Sequence, residues 1–303
     1  MLKNMSCLAF VLALVLAGCG FSPAPSLSPP PPAPTPEAAA NEFFDPYHPS
    51  PGLPGWRETV DAIVAHQEYM SLENLETLEY FLTQHIWAGL VTEVIVADDG
   101  AHLSYKYNAE KQRMALATFI TNACDLLKQV NTPDANDLDK IFAAYQLTAA
   151  LGSYDKEHRL TGAFDLLVEK QAICHGYAEI FVFLLEQSGV NALRLEGATT
   201  SGGDHGWAMA EINGTYYHFD PMWEHSASKG NALNYFAMSD EARIAASARN
   251  NWHTAETRQN APPAPDDSFM GMRKNTKKFR RFPEEHRVEI LRTDGTRWDY
   301  FTN

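Results

Sequence analysis

An Asn213-Gly214 pair stands between two strand-like runs, "HGWAMAEI" (205–212) and "TYYHFD" (215–220). Asn-Gly is a strong short-range signal for a two-residue hairpin turn, because both central residues must take positive φ. Such a turn fixes every pairing that follows: Ile212 opposes Thr215, and each step back opposes a step forward. Trp207 then lies opposite Asp220, and His205 lies diagonal to Asp220 on the same face. Diagonal neighbours sit roughly 7–8 Å apart at the backbone, close enough for an imidazole and a carboxylate to meet. The turn therefore predicts a His205–Asp220 pair, provided that no bulge precedes Asp220. Pro221 stops the second strand, since proline cannot donate to a ladder.

A second constraint lies upstream. "AICHGYAEIFVFLLEQSG" (172–189) places Cys174 at the mouth of an apolar, helix-patterned run that Gly189 ends in a left-handed cap. A thiol becomes a nucleophile when its pKa is lowered, and a helix N-terminus lowers it through free N–H groups and the helix dipole. A thiolate also needs a histidine to take and give the proton, and that histidine needs a partner to fix its tautomer. Cys174, His205 and Asp220 are therefore the candidate catalytic residues. The backbone N–H of Cys174 is one natural oxyanion donor. His175 reads as a surface residue, and Gly176 and Tyr177 as helix packing and cleft wall. His218 and His225 flank "FDPMWE", but no coherent metal-ligand set appears around them, and neither a metal nor another cofactor is expected.

The rest of the chain supplies the frame. Trp56 to Gln84 reads as two helical pieces broken near Ser71, and "TEVIVADDGAHLSYKY" as a hairpin around Asp99-Gly100. Glu110–Val130 and Leu138–Leu151 read as helices, the latter with Ile141, Tyr145 and Ala149 on one face. Cys124 falls among apolar residues at helical spacing, as a buried inert thiol would. Strands follow: "NALRLEG", the Asn213-Gly214 hairpin and, after helical stretches around Ser239, a last hairpin in "RVEILRTDGTRWDYF". Helices before and strands after make an α+β fold. "RKNTKKFRR" (273–281) reads as a solvated loop or a partner for acidic surface of the same chain.

The beginning of the chain points to export. Lys3, an apolar run from Cys7 to Gly18 and then Cys19 fit a secretory signal too short to span a bilayer. "LAGC" (16–19) resembles the bacterial lipoprotein box, with an ordinary cleaved signal as the alternative. The box would make Cys19 the lipidation site and anchor an exported protein to the membrane of the cell envelope. Gly20, rather than aspartate, follows Cys19, which favours an outer membrane where the cell has one. The proline-dense stretch after Cys19 is a stiff spacer. A net charge of −14 argues against a nucleic-acid partner. Loss of Cys7 and lipidation of Cys19 leave Cys124 and Cys174, which is no disulfide scaffold, although a single bridge between them stays open.

"AFDLLVEKQAICHGYAEIFVFLLEQSGV", "DHGWAMAEINGTYYHFDPMW" and "YFAMSDE" resemble the core of the transglutaminase-like superfamily of papain-type fold, over about Asp137 to Glu241. The resemblance implies a nucleophile at Cys174, a base at His205 and an orienting carboxylate at Asp220. It also implies Tyr177, Trp207 and Trp223 as walls of the substrate cleft. Two positions depart from the family pattern: Ala208 follows Trp207, and Met222 stands within Asp-Pro-Met-Trp. The implied layout is a signal (1–18), a proline-rich linker (19–54), a helical and hairpin region (55–133) and a catalytic domain (134–303). The implied function is attack on peptide or protein amide bonds through an acyl-thioester, with hydrolysis the first choice. Protein-glutamine transglutamination is the alternative, and a non-catalytic binding or assembly module that keeps the fold is the reading from another class.

Overall fold

The computed structural model describes residues 43–199, 204–249, 254–257 and 261–303. The signal-like run, Cys19, most of the proline-rich stretch and Ser201–Gly203 lie outside them. Contacts divide the chain into two compact units, 1–120 and 121–303, with the division inside one helix. From sequence the boundary reads instead at Pro133, in the loop that follows that helix.

The first unit holds α1 (Trp56–Val64), β1 (Tyr69–Met70), α2 (Leu75–Gln84), β2 (Val91–Ala97), β3 (Gly100–Tyr105) and the first part of α3 (Ala109–Val130). Its sheet runs β1-β3-β2. Ala97 pairs with Gly100, so the tight turn is Asp98-Asp99 and Gly100 already belongs to the ladder. This moves the turn one residue earlier than the sequence suggests. Trp56, Val60, Ile63 and Phe81 form the buried centre with His85. Burial pulls the His85 imidazole down to a pKa of about 3, and its Nε2 lies 3.0 Å from the Pro46 carbonyl oxygen.

The second unit carries the candidate site. α4 (Asp137–Ala150) starts at a capping box: the Asn136 side chain accepts from the Asp139 N–H, and the Asp139 carboxylate accepts from the Asn136 N–H. Ile141, Tyr145 and Ala149 are fully buried, as their spacing requires. β4 (Ser153–Tyr154) pairs in parallel with β5 (Gln171–Ala172) across α5 (Ala163–Val168). β5 delivers the chain into α6 (Cys174–Gln187), which ends where Gly189 takes φ 78° and the Val190 N–H bonds the Leu185 carbonyl. α6 packs on an antiparallel sheet ordered β8-β7-β6-β9, with β6 Ala192–Thr199, β7 Asp204–Ile212, β8 Thr215–Phe219 and β9 Thr254–Thr257. The fold class is α+β.

Asn213 (φ 50°) and Gly214 (φ 80°) make the two-residue turn, and Ile212 pairs with Thr215 through to Ala208 with Phe219. No bulge interrupts this ladder. Pro221 both ends β8 and opens α7 (Pro221–Ser228), where its missing N–H costs nothing. α8 (Asp240–Arg249) and α9 (Met270–Asn275) follow. The basic stretch is not a solvated loop: β10 (Thr276–Phe282) is one edge of a sheet with β11 (Arg287–Arg292) and β12 (Arg297–Phe301). Phe279 is buried while Lys278 and Arg280 face outward. This sheet is tied to the start of α4, where Asp139 accepts from the Thr302 hydroxyl (2.6 Å) and meets His286 Nδ1 (2.6 Å). No helix among the described residues is long and apolar enough to cross a membrane.

Candidate active site

Cys174 is the first residue of α6, and no side chain caps the helix there. Unpaired N–H groups and the positive end of the helix dipole therefore lie beside the sulfur. The thiol is buried, and the Gly206 N–H donates to Sγ at 3.4 Å. Gly206 also lies close against His175: a Cβ there would sit 3.1–3.3 Å from it, so that His175 would have to shift.

His205 sits on β7 opposite Gly197 of β6 and is 1% exposed. Its Nε2 lies 2.7 Å from Asp220 Oδ2. With Nε2–H given to the carboxylate, Nδ1 is the nitrogen left for Cys174, whose side chain raises the His205 pKa. Asp220 is fully buried, and its other oxygen accepts the Trp223 N–H at 2.9 Å as the cap of α7. One carboxylate therefore orients the imidazole and starts a helix. The structure brings Cys174, His205 and Asp220 together.

The electrostatics favour an ion pair. Burial pushes the Cys174 thiol up, but hydrogen bonds and positive charge from His175 and His205 outweigh it, and its pKa falls to about 6. Burial pulls His205 down, but the Asp220 charge and hydrogen bond, with Cys174, raise it to about 9. Between those values the thiolate–imidazolium form is the stable one.

The aromatic residues assigned to the cleft from sequence take other places. Tyr177 is fully buried, and its hydroxyl donates to the Leu151 carbonyl (3.0 Å), so it is a core residue and not a cleft wall. Trp207 is 1% exposed, packs with Leu195, Met209 and Ala264, and gives its indole N–H to His218 Nδ1 (3.0 Å). Trp223 lies face to face with His205 at 4.8 Å and is itself buried. Trp207 and Trp223 hold the imidazole in place and offer little surface to a substrate. Ala208 is fully buried, and Met222 packs beside Trp223, Met238 and Ala246.

His218 and His225 are occupied as structural groups. His218 accepts from Trp207 at Nδ1 and so gives its Nε2–H to Asp240 (2.9 Å), while His225 Nδ1 meets the Ala149 carbonyl (3.0 Å). No group of metal-binding side chains occurs among the described residues. Cys124 and Cys174 are both free and buried.

Three residues near the site were not legible as functional. His175 is no surface residue: its side chain is 15% exposed, with Nδ1 3.5 Å from Cys174 Sγ. Arg243 is buried and lies over Trp207 (4.3 Å) and Trp223 (4.6 Å), where it feels the charge of Asp220. Tyr154 pairs with Ala172 on the strand entering α6; burial raises its phenol pKa, and the Cys174 charge adds to the effect. A histidine directly after a candidate nucleophile was the one available signal.

Residues 125–221 match the family model of the transglutaminase-like superfamily, a span that contains Cys174 and His205 and ends just after Asp220. Among solved structures the chain is similar to a candidate cysteine protease from Cytophaga hutchinsonii (16% identity, TM-score 0.32, 46% of this chain and 42% of that one). It is similar also to a TGase (17%, 0.30, 50% and 48%) and to Legionella pneumophila LapG (11%, 0.32, 51% and 79%). The chain thus spans less than half the length of the first two. Likeness at this level says nothing about activity. A comparison with curated proteins found no match.

Proposed function

We propose, from the match of residues 125–221 to the transglutaminase-like superfamily, that the protein is a cysteine amidohydrolase acting on peptide or protein amide bonds. The observation that carries this reading is one constellation: Cys174 at a helix N-terminus, coupled to His205, whose Nε2 is held 2.7 Å from buried Asp220.

The thiolate of Cys174 attacks the amide carbonyl carbon, and a C–S bond forms as the carbonyl oxygen takes the negative charge. The Cys174 backbone N–H at the start of α6 is a donor for that oxyanion. Collapse expels the amine, which takes its proton from His205, and leaves an acyl-thioester. His205 then accepts a proton from water as the water attacks the thioester, and the acid product leaves as the thiolate is restored. Asp220 holds Nε2–H throughout and stabilises the imidazolium without being protonated. Water needs no recognition beyond a base to take its proton; a primary amine in its place would make the same thioester a transglutaminase intermediate.

The reading extends to the cell envelope, with the chain anchored through lipid on Cys19 and the proline-rich stretch as spacer. The "LAGC" box supports this.

The test is activity-based labelling of the folded part with a thiol electrophile, followed by peptides supplied with a labelled amine in competition. Rapid modification of Cys174 over Cys124, with peptide hydrolysis exceeding amine incorporation, is expected. Dominant amine incorporation would assign transamidation. Equal slow labelling of both cysteines without turnover would leave a binding module.

A further inference from the structure

Two imidazoles act on Cys174, and the mechanism above uses one. His175 Nδ1 lies 3.5 Å from Sγ, and its Nε2 faces Glu196 Oε1 at 3.6 Å. Adjacent residues of a regular helix point about 100° apart. Here the His175 ring is held against the sulfur because Gly206 of β7 leaves room for it. We propose that His175, backed by Glu196, is a second proton partner of Cys174, so that the thiol carries two imidazole–carboxylate arms. The proposal rests on the reading of Cys174 as the nucleophile.

The chemistry is a single proton transfer. The S–H bond breaks, an N–H bond forms at His175 Nδ1, and the Nε2–H of the resulting imidazolium points at Glu196. The groups facing His175 come from three elements. α6 supplies Cys174 and Glu179. β6 supplies Glu196 and Arg194; the Arg194 guanidinium pairs with Glu179 and lies 3.5 Å from Glu196. β7 supplies the Gly206 backbone and His205, which also acts on the Cys174 thiol. Burial pulls His175 down, but the Cys174 hydrogen bond and the charges of Cys174, Glu196 and Glu179 outweigh it and raise its pKa.

The two arms differ in their access to water. The His205 and Asp220 side chains are 2% and 0% exposed, whereas those of His175 and Glu196 are 15% and 18% exposed. The inner arm suits the proton transfers of catalysis, shielded from solvent. The outer arm, open to bulk water, supports the ionised sulfur alongside the inner imidazolium.

The experiment titrates the thiolate without any substrate, by its ultraviolet absorbance and by iodoacetamide labelling across pH, in wild type, His175→Gln, His175→Ala, His205→Ala and the His175→Gln/His205→Ala pair. Circular dichroism of each variant reports an intact fold. His175→Gln keeps the bulk of the side chain but cannot take a proton, and it is expected to move the titration to higher pH. The first unit of that shift cuts the thiolate fraction at pH 6 about five-fold, and each further unit about ten-fold. His205→Ala should retain a thiol more acidic than the ordinary value near 8.5, and the double variant should approach that value. A titration unchanged in folded His175→Gln would overturn the proposal, as would a His205→Ala thiol already at the ordinary value. Failure of the catalytic reading looks different: there, His205→Ala would leave both titration and turnover at wild-type levels.

Discussion

Asp220→Asn separates the two tasks of one carboxylate. Asp220 caps α7 through Oδ1 and orients His205 through Oδ2. An asparagine whose oxygen keeps the Trp223 N–H must turn its NH₂ toward His205 Nε2. That nitrogen then has to accept, so the ring carries its proton on Nδ1, on the Cys174 side, and cannot take the thiol proton. If the amide flips to restore the tautomer, the cap is lost instead, at about 1 kcal/mol. Either way the charge that raises the fully buried imidazole is gone. The corresponding change in the serine-protease template costs about 10⁴ in kcat. A thiol ionises more easily than a hydroxyl, so the loss expected here lies between about ten-fold and that figure. Folding stability should stay within about 1 kcal/mol of wild type, whereas Asp220→Ala should lose the cap as well. The assay is turnover of a hydrolysed peptide beside chemical denaturation of each variant. Full turnover in a folded Asp220→Asn protein would refute the reasoning, because the carboxylate would then be irrelevant to the state of the imidazole.

The pH dependence of kcat/KM should be bell-shaped. It should rise as the thiol ionises near pH 6 and fall as the imidazolium loses its proton near pH 9, the two limbs belonging to the coupled pair. A single rising limb would contradict an ion-pair resting state. Glu224 is fully buried and accepts from Tyr145 (2.8 Å), Asn234 (2.9 Å), the Ser228 hydroxyl (2.5 Å) and the Tyr235 N–H (3.2 Å). Glu224→Ala strands the buried Tyr145 hydroxyl at about 1–3 kcal/mol and three part-buried donors at less, so a loss above about 2 kcal/mol in denaturant melts is expected, and Glu224→Gln should lose less. A small loss in the alanine variant would show that water replaces the carboxylate. Cys19→Ser should release the protein from membranes or leave its signal uncleaved without changing the folded part; unaltered fractionation beside an unacylated wild-type N-terminus would remove the lipid anchor from the proposal.

Sequence reasoning reached His205 and Asp220 because a two-residue turn allows one pairing only, and that pairing is the one seen between Ile212 and Phe219. Cys174 was legible because an apolar helical run must begin somewhere, and a thiol stood where it begins. His175 was not, because nothing in a linear pattern tells that a glycine on another strand makes room for its ring. Tyr177 and Trp207 read as cleft walls by likeness to a family, yet burial is set by what packs over them from distant segments. α7 was hidden behind Pro221, which was read as the end of a strand without being read as the start of a helix. β10 was hidden by its own charges and by the register shift between Thr276 and Lys278, which breaks the alternation that would have revealed a strand.

The bonds that tie Asp139 to His286 and Thr302 span 147 and 163 residues of chain. Synthesis runs in one direction, so α4 is made long before the partners that complete its cap network exist. Until Thr302 emerges, one oxygen of Asp139 lacks its hydroxyl donor and the Asn136 amide lacks the Thr302 carbonyl to which it donates. The cap network of α4 therefore closes only after residues 286–302 have been made.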